Sequence, residues 1–99
     1  MSLAVEEARK IAHTIAFGHA YWKHAADARE AGELMTQSSF EQLILETILS
    51  PDRKKSLRLS RTAFWNTVEC FLVIHNPHDP DLGTAYWPAE GRDEFESLF

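Results

Sequence analysis

Cysteine is nearly missing from this sequence. Cys70 stands alone among 99 residues, so no disulfide can close within the chain and no four-cysteine zinc site can form. Long apolar runs are missing too: none reaches the roughly 18–20 residues that a membrane-spanning helix needs. No basic segment followed by an apolar one opens the chain, so no secretory signal is read there and localisation stays unassigned. Four glycines fall in none of the patterns GxxxxGK(S/T), GxGxxG or GxSxG, and no CxxC is present. Phosphate cradling by a glycine-rich loop is thereby excluded, and no cofactor is expected. Positive charge is scarce as well. Ten Lys and Arg face fifteen Asp and Glu, a net charge of -5, which works against broad nucleic-acid binding because cations must displace counterions there. The deficit is uneven, however. Arg53, Lys54, Lys55, Arg58 and Arg61 against Asp52 make residues 51–61 locally +4 and leave -9 for the rest. Such a strip is equipped to hold a phosphate backbone locally, but on charge alone it reads more readily as a solvated turn.

What is present is enough for one core. A hydrophobic fraction of 44%, with three Trp, six Phe and two Tyr, argues for a globule rather than disorder, and the length leaves no room for a second domain. Residues 3–31 carry apolar positions at helical spacing, with Ile11, Ile15, His19, Trp22 and Ala26 on one stripe. The spacing predicts a long helix, bent or broken near Gly18 and stopped at Gly32. Ser38 with Glu41, or Ser39 with Gln42, matches a capping box and predicts a second helix that ends at Ser50-Pro51.

From Leu57 to Pro88 the chain turns to β character, with apolar and polar residues alternating among β-branched and aromatic ones. Strands are expected near 57–66, 68–75 and 83–87, the first two joined by a tight turn at Asn66-Thr67. The second strand, apolar nearly throughout, reads as central and covered on both faces. The loop NPHDPDLG returns the chain, and Arg92–Phe99 reads as a short amphipathic helix. The whole is an α+β domain: two N-terminal helices on an antiparallel sheet of about three strands, with a short C-terminal helix.

Three groups of residues carry candidate chemistry. His19, Lys23 and His24 lie close along one helix, with His19 on the stripe facing the sheet; an inward histidine is either a general base or a hydrogen-bonded core residue. His75, His78, Asp79 and Asp81 have donors suited to a divalent metal, but their spacing matches no metal motif and a Pro/Asp-rich turn explains them, so no metal site is expected. Arg61, Thr62, Thr84 and Tyr86, at or near strand ends with Asn76, have the donors to grip a phosphate, although Thr and Tyr are also ordinary strand residues. Cys70 reads as buried and inert. Trp87, beside Pro88, is the tryptophan most suited to stacking on a base.

In order, Gly18-His19-Ala20-Tyr21-Trp22-Lys23-His24, Arg61-Thr62-Ala63-Phe64-Trp65, Val73-Ile74-His75-Asn76-Pro77 and Gly83-Thr84-Ala85-Tyr86-Trp87-Pro88 resemble the C-terminal ribonuclease toxin modules of bacterial polymorphic and contact-dependent-inhibition systems, of the barnase–EndoU–colicin–RelE-like group. The sequence departs from that pattern at Ser60, where glycine is usual, and at Trp87, where arginine is usual. The resemblance implies metal-independent cleavage of RNA, often tRNA, by attack of a ribose 2′-OH on the adjacent phosphate. It also implies a cognate immunity protein as partner, and export within a larger protein to act in a target-cell cytoplasm. Carried over by position, His19 is the first choice for acid or base and His24 the second, with Arg61 and Thr84 acting on the phosphate. Lys23, Thr62, Asn76, Tyr86 and Trp87 would bind substrate. The alternative is a non-catalytic module on the same scaffold, binding a protein through its aromatic rim.

Overall fold

A computed structural model describes residues 4–26, 28–30 and 32–99. Helix α1, Val5–Ala16, opens with Glu6 and Glu7 and closes with His13, the charge order that a helix dipole favours. Ala8, Ile11, Ala12, Ile15 and Ala16 are buried along one side. These small residues let α1 lie close against α2, Gln37–Leu49, which answers with Phe40, Ile44, Thr47 and Ile48. Of the bend or break expected near Gly18, the structure has a break. Phe17 N–H still donates to the His13 carbonyl, at 3.0 Å, but Gly18 turns tighter, onto the Ile15 carbonyl at 3.2 Å. His19 N–H leaves the helix ladder altogether and donates to the Asp81 carboxylate at 3.2 Å. The chain then resumes as a π-helical turn, Tyr21–Ala25, closed by Ala26 N–H on the Tyr21 carbonyl at 2.8 Å.

Beyond it the expected helix does not continue. Arg29–Glu30 (β1) and Glu33–Leu34 (β2) pair as a small antiparallel ladder, and Gly32 sits between them at φ +85° rather than as a helix stop. Leu3 and Ala31, the expected ends of that helix, lie outside the described residues. Helix α2 starts earlier than expected, because Thr36 and neither serine is its N-cap. Thr36 Oγ1 accepts from Ser39 N–H at 3.0 Å.

The sheet has four strands rather than three: β3 Arg53–Ser56, β4 Thr62–Asn66, β5 Phe71–His75 and β6 Gly83–Tyr86, an antiparallel meander in that order. Rows Lys54–Phe64–Val73–Ala85 and Ser56–Thr62–His75–Gly83 fix the register. Phe64, Phe71, Val73 and Ala85 join the core with α1 and α2. Ala63, Trp65 and Leu72, on the other face, pack under Phe95 of α3, Arg92–Ser97. β5 is therefore covered on both sides, as expected.

The additional strand, β3, is the supposed basic turn. Lys55 Nζ donates to the Glu96 carbonyl at 2.8 Å and to that of Phe95 at 3.4 Å, while Arg53 pairs with Glu96 at 3.4 Å. Cations at the carbonyl end of a helix offset its partial negative charge. Much of the strip that suggested phosphate binding thus anchors α3.

Two turns also differ from expectation. Leu57–Arg61, expected as strand, forms the β3–β4 turn, with Leu59 at φ 61° and Ser60 at φ 63°. Arg61 N–H reaches the Arg58 carbonyl at 3.4 Å, and two positive φ values in the centre make this type I′-like, a turn that favours Asn-Gly. A Leu59→Asn, Ser60→Gly double variant should therefore gain about 1–2 kcal/mol of stability, because each L-residue in this region is strained. Urea unfolding checks this, and an unchanged midpoint would show the turn to be relaxed. The β4–β5 turn covers 67–70, not Asn66-Thr67 alone, and its last residue, Cys70 at φ 50°, is exposed rather than buried.

Candidate active site

The break at Phe17–Gly18 decides where the histidines go. Had α1 continued, His19 would have followed Ile11 and Ile15 onto the sheet. Instead the chain restarts on Asp81, and the His19 side chain is 93% exposed. The inward histidine expected from the apolar stripe is thus corrected to a surface one. Its Nδ1 is hydrogen-bonded to Asp81 Oδ2, and the same oxygen receives the His19 backbone N–H. With Nδ1 engaged by a carboxylate, Nε2 is the nitrogen left to exchange protons.

Asp81 is itself held in place. Its N–H donates to Asp79 Oδ1 at 2.8 Å, and Asn76 Oδ1 accepts from His78 N–H at 3.0 Å in the same loop. These are Asx-type turns, the local bonding that short acidic and amide side chains favour. Gly18 completes the arrangement, since a Cβ there would stand 2.8 Å from Asp81 Cγ and 3.0 Å from the Thr14 carbonyl oxygen. The carboxylate reaches His19 through the space that Gly18 leaves.

The two candidate histidines are driven apart electrostatically. Asp81, by its hydrogen bond and then by its charge, raises the pKa of His19, while His19 holds the Asp81 carboxyl below its usual range. His24 moves the other way: partial burial lowers its pKa first, and the charge of Lys23 lowers it further. Its ring lies 5.2 Å from that of Tyr86, centroid to centroid. Tyr86 O–H donates to Glu94, and burial followed by that carboxylate pushes its pKa well up, so the phenol keeps its proton. Lys23 stands near enough to oppose protonation of both histidines. The π-helical turn thus meets β6 through His24 and Tyr86, while His19 is held by Asp81 in the loop that precedes β6.

The remaining sequence candidates lie elsewhere. Arg61 donates from Nε to the Arg58 carbonyl at 3.1 Å and from Nη2 to the Phe99 carbonyl at 3.1 Å. It immediately precedes β4, which is separated from β6 by β5, two strand spacings or about 10 Å away. Thr62 is opposite His75, and Thr84 opposite Ile74, so the two threonines belong to adjacent rows of different strands. Trp87 packs its ring against Phe71 and Phe40, at 4.8 and 5.9 Å. The exposed indole is Trp22, at 70%, with Phe17 beside it at 47%.

His75 has its pKa lowered by burial, with Glu7 opposing. Among the described residues, no three His, Cys, Asp or Glu side chains are gathered as metal ligands, and no helix is long and apolar enough to cross a membrane.

A cleft of about 330 Å³ opens at the His–Asp pair, lined by Phe17, Gly18, His19, Trp22 and Asp81. A larger hollow of about 530 Å³, lined among others by Arg29, Gln42, Glu46 and Glu69, holds none of the histidines. We regard the smaller cleft as the candidate site because the paired acid–base groups are there. Sequence reasoning weighed Asp81 only as a metal ligand and assigned no role to Phe17 or Trp22. Gly18 immediately before His19 was the available signal, since a lone glycine in a helical pattern marks a break or a close approach. Comparisons with models of known protein families, with curated proteins and with solved structures found no match to this chain.

Proposed function

We propose that this domain is a metal-independent ribonuclease, in line with the toxin-module resemblance, and that tRNA is the substrate to test first. The observation that carries this reading is the His19–Asp81 pair set at an open cleft, with Lys23 near enough to act on both His19 and His24. Cleavage of RNA through its own 2′-OH needs a base for that proton, an acid for the departing 5′-oxygen and a cation for the phosphorane. His24, with its pKa lowered, is the neutral base. His19, with its pKa raised, carries the proton to the leaving oxygen. Lys23 contacts a non-bridging phosphate oxygen.

As the 2′-oxygen bonds to phosphorus the P–O5′ bond breaks, leaving a 2′,3′-cyclic phosphate and a free 5′-hydroxyl. All three roles fall to side chains between positions 19 and 24, and none of these steps calls for a metal. Arg61 stands too far round the sheet to join the first contacts, whereas Thr84, on β6 with Tyr86, keeps the phosphate-positioning role that the resemblance gives it. Asn76 acts through the loop that holds Asp81, and Tyr86 supports the ring of His24. The same reading assigns to an immunity protein the task of covering this cleft.

The second reading, a protein-binding module, is favoured by the exposure of Phe17 and Trp22 at the same place. One assay separates the two. Purified protein is incubated with total tRNA, once with chelator and once with magnesium, beside His19→Ala. Cleavage to cyclic-phosphate ends that survives chelation and disappears in His19→Ala is the expected result. Intact tRNA under both conditions would transfer the assignment to the binding module.

A further inference from the structure

Two large aromatic side chains stand open to solvent beside the His–Asp pair, and each is supported from behind. His13 stacks on Phe17 with ring centroids 4.5 Å apart at 29°. Tyr21 meets Trp22 edge-on at 5.0 Å and 79°. Tyr21 is fixed in turn, its hydroxyl donating to the Met35 carbonyl at 2.6 Å. Trp22 is therefore backed by an anchored ring although 70% of it is exposed. Exposed apolar surface of this size is costly in water and marks a binding surface when several such groups cluster.

We infer that Trp22 and Phe17 form a platform for an unpaired nucleobase, and so restrict the substrate to single-stranded or looped RNA. The inference rests on the ribonuclease reading and deepens it. A planar, polarisable ring offers its face to any base, whatever its edge pattern. A base inside a duplex has both faces taken by its neighbours and cannot present one to Trp22. The charges around the cleft fit a nucleotide better than an apolar peptide. Lys23 adjoins Trp22 in sequence, and His19, biased toward its cation by Asp81, lines the same cleft. A phosphate attached to the stacked nucleoside would meet both. Asp81, the acidic group in the cleft lining, is paired with His19, and Asp79 acts on His19 through its charge alone. Trp87, which the sequence put forward for this role, is packed against Phe71 and Phe40.

The test uses a hairpin RNA and a blunt duplex of the same composition, with the native protein, Trp22→Ala and Trp22→Phe. The native protein should cut only within the loop. Trp22→Ala should lose about tenfold in kcat/KM, chiefly through KM, the loss expected for one base–aromatic stack, and Trp22→Phe should recover most of it. Binding is read separately with the same hairpin carrying 2′-O-methyl groups, which cannot be cleaved, by quenching of the exposed indole. Quenching by this probe without cleavage of the unmodified hairpin would defeat the ribonuclease reading and leave the platform standing. Cleavage of the duplex as fast as the loop, unchanged kinetics in Trp22→Ala, or no binding of either RNA would overturn the platform.

Discussion

Gly83→Ala is expected to lose about 3–5 kcal/mol of folding stability, a large share of what a domain this size possesses. Two independent causes converge on that position. Its φ is +132°, which is closed to L-residues with a Cβ. A Cβ built there would also stand 2.0 Å from the Ile74 carbonyl oxygen and 3.1 Å from Asn76 N. Both obstacles are backbone atoms of β5 and the turn that follows, so no side chain can swing aside.

Gly83 opens β6 opposite His75, and relief requires the β5–β6 ladder to part at the start of its register. Gly32 supplies the control. It too has positive φ, +85°, yet nothing lies within 4 Å of its would-be Cβ. Gly32→Ala should therefore cost about 1 kcal/mol, the backbone contribution alone. In urea or thermal melts the two variants should separate by some 10–25 °C, given roughly 4–8 °C per kcal/mol in domains of this length. A Gly83→Ala protein melting near the Gly32→Ala protein would show that the β5–β6 junction yields easily.

The contrast between these glycines bears on how far the fold was legible in the sequence. Where apolar spacing carried the signal, as in Phe40–Ile44–Ile48 or along Phe71–His75, the element and its buried face were both readable. The signal failed where an element owes its existence to a partner. Arg53–Ser56 shows no alternation of its own; it is a strand because β4 pairs with it and because its cations hold the end of α3. Leu59 and Ser60 carry no turn signature, yet they occupy a turn that glycine and asparagine would enter more readily. Ser60 is also one of the departures from the resembling family's pattern. The site failed in the same way. His19 shares the apolar stripe of α1 on paper, but the backbone breaks one residue earlier because Asp81, 62 positions later, takes the His19 N–H. No periodicity within the helix encodes that contact. Local propensity yields to a long-range hydrogen bond here, at the position where a functional site is most often found.

That same long-range contact makes the sharpest prediction for the chemistry. On the proposed ribonuclease reading, Asp81→Asn should leave the fold intact while reducing RNA cleavage by about 10²-fold, the low end for disabling a positioned acid or base. The sign of the pH change follows from which group is shifted. Asp81 raises the His19 pKa, so in the native protein the acid stays protonated until pH rises past that elevated value. His24, lowered by burial and Lys23, becomes a competent base at a pH below the ordinary histidine value. Cleavage is therefore expected on a plateau between the two, falling on the alkaline side as His19 loses its proton.

Removing the Asp81 charge lowers the His19 pKa, moves the alkaline limb to lower pH and narrows the plateau, with the acidic limb unmoved. Gly18→Ala should reproduce this behaviour from another position. Its Cβ would stand 2.8 Å from Asp81 Cγ and 3.0 Å from Oδ2, and must push the carboxylate away from the His19 ring. The flexible carboxylate can yield. The remaining contact, 3.0 Å to the Thr14 carbonyl oxygen, needs a shift of only about a few tenths of an ångström, so the variant should fold. Lost activity in both variants with an unmoved alkaline limb would mean that Asp81 shapes the cleft without tuning His19. Full activity in both would remove the pair from the reaction. If both limbs shifted together, Asp81 would be acting on His24 as well as on His19.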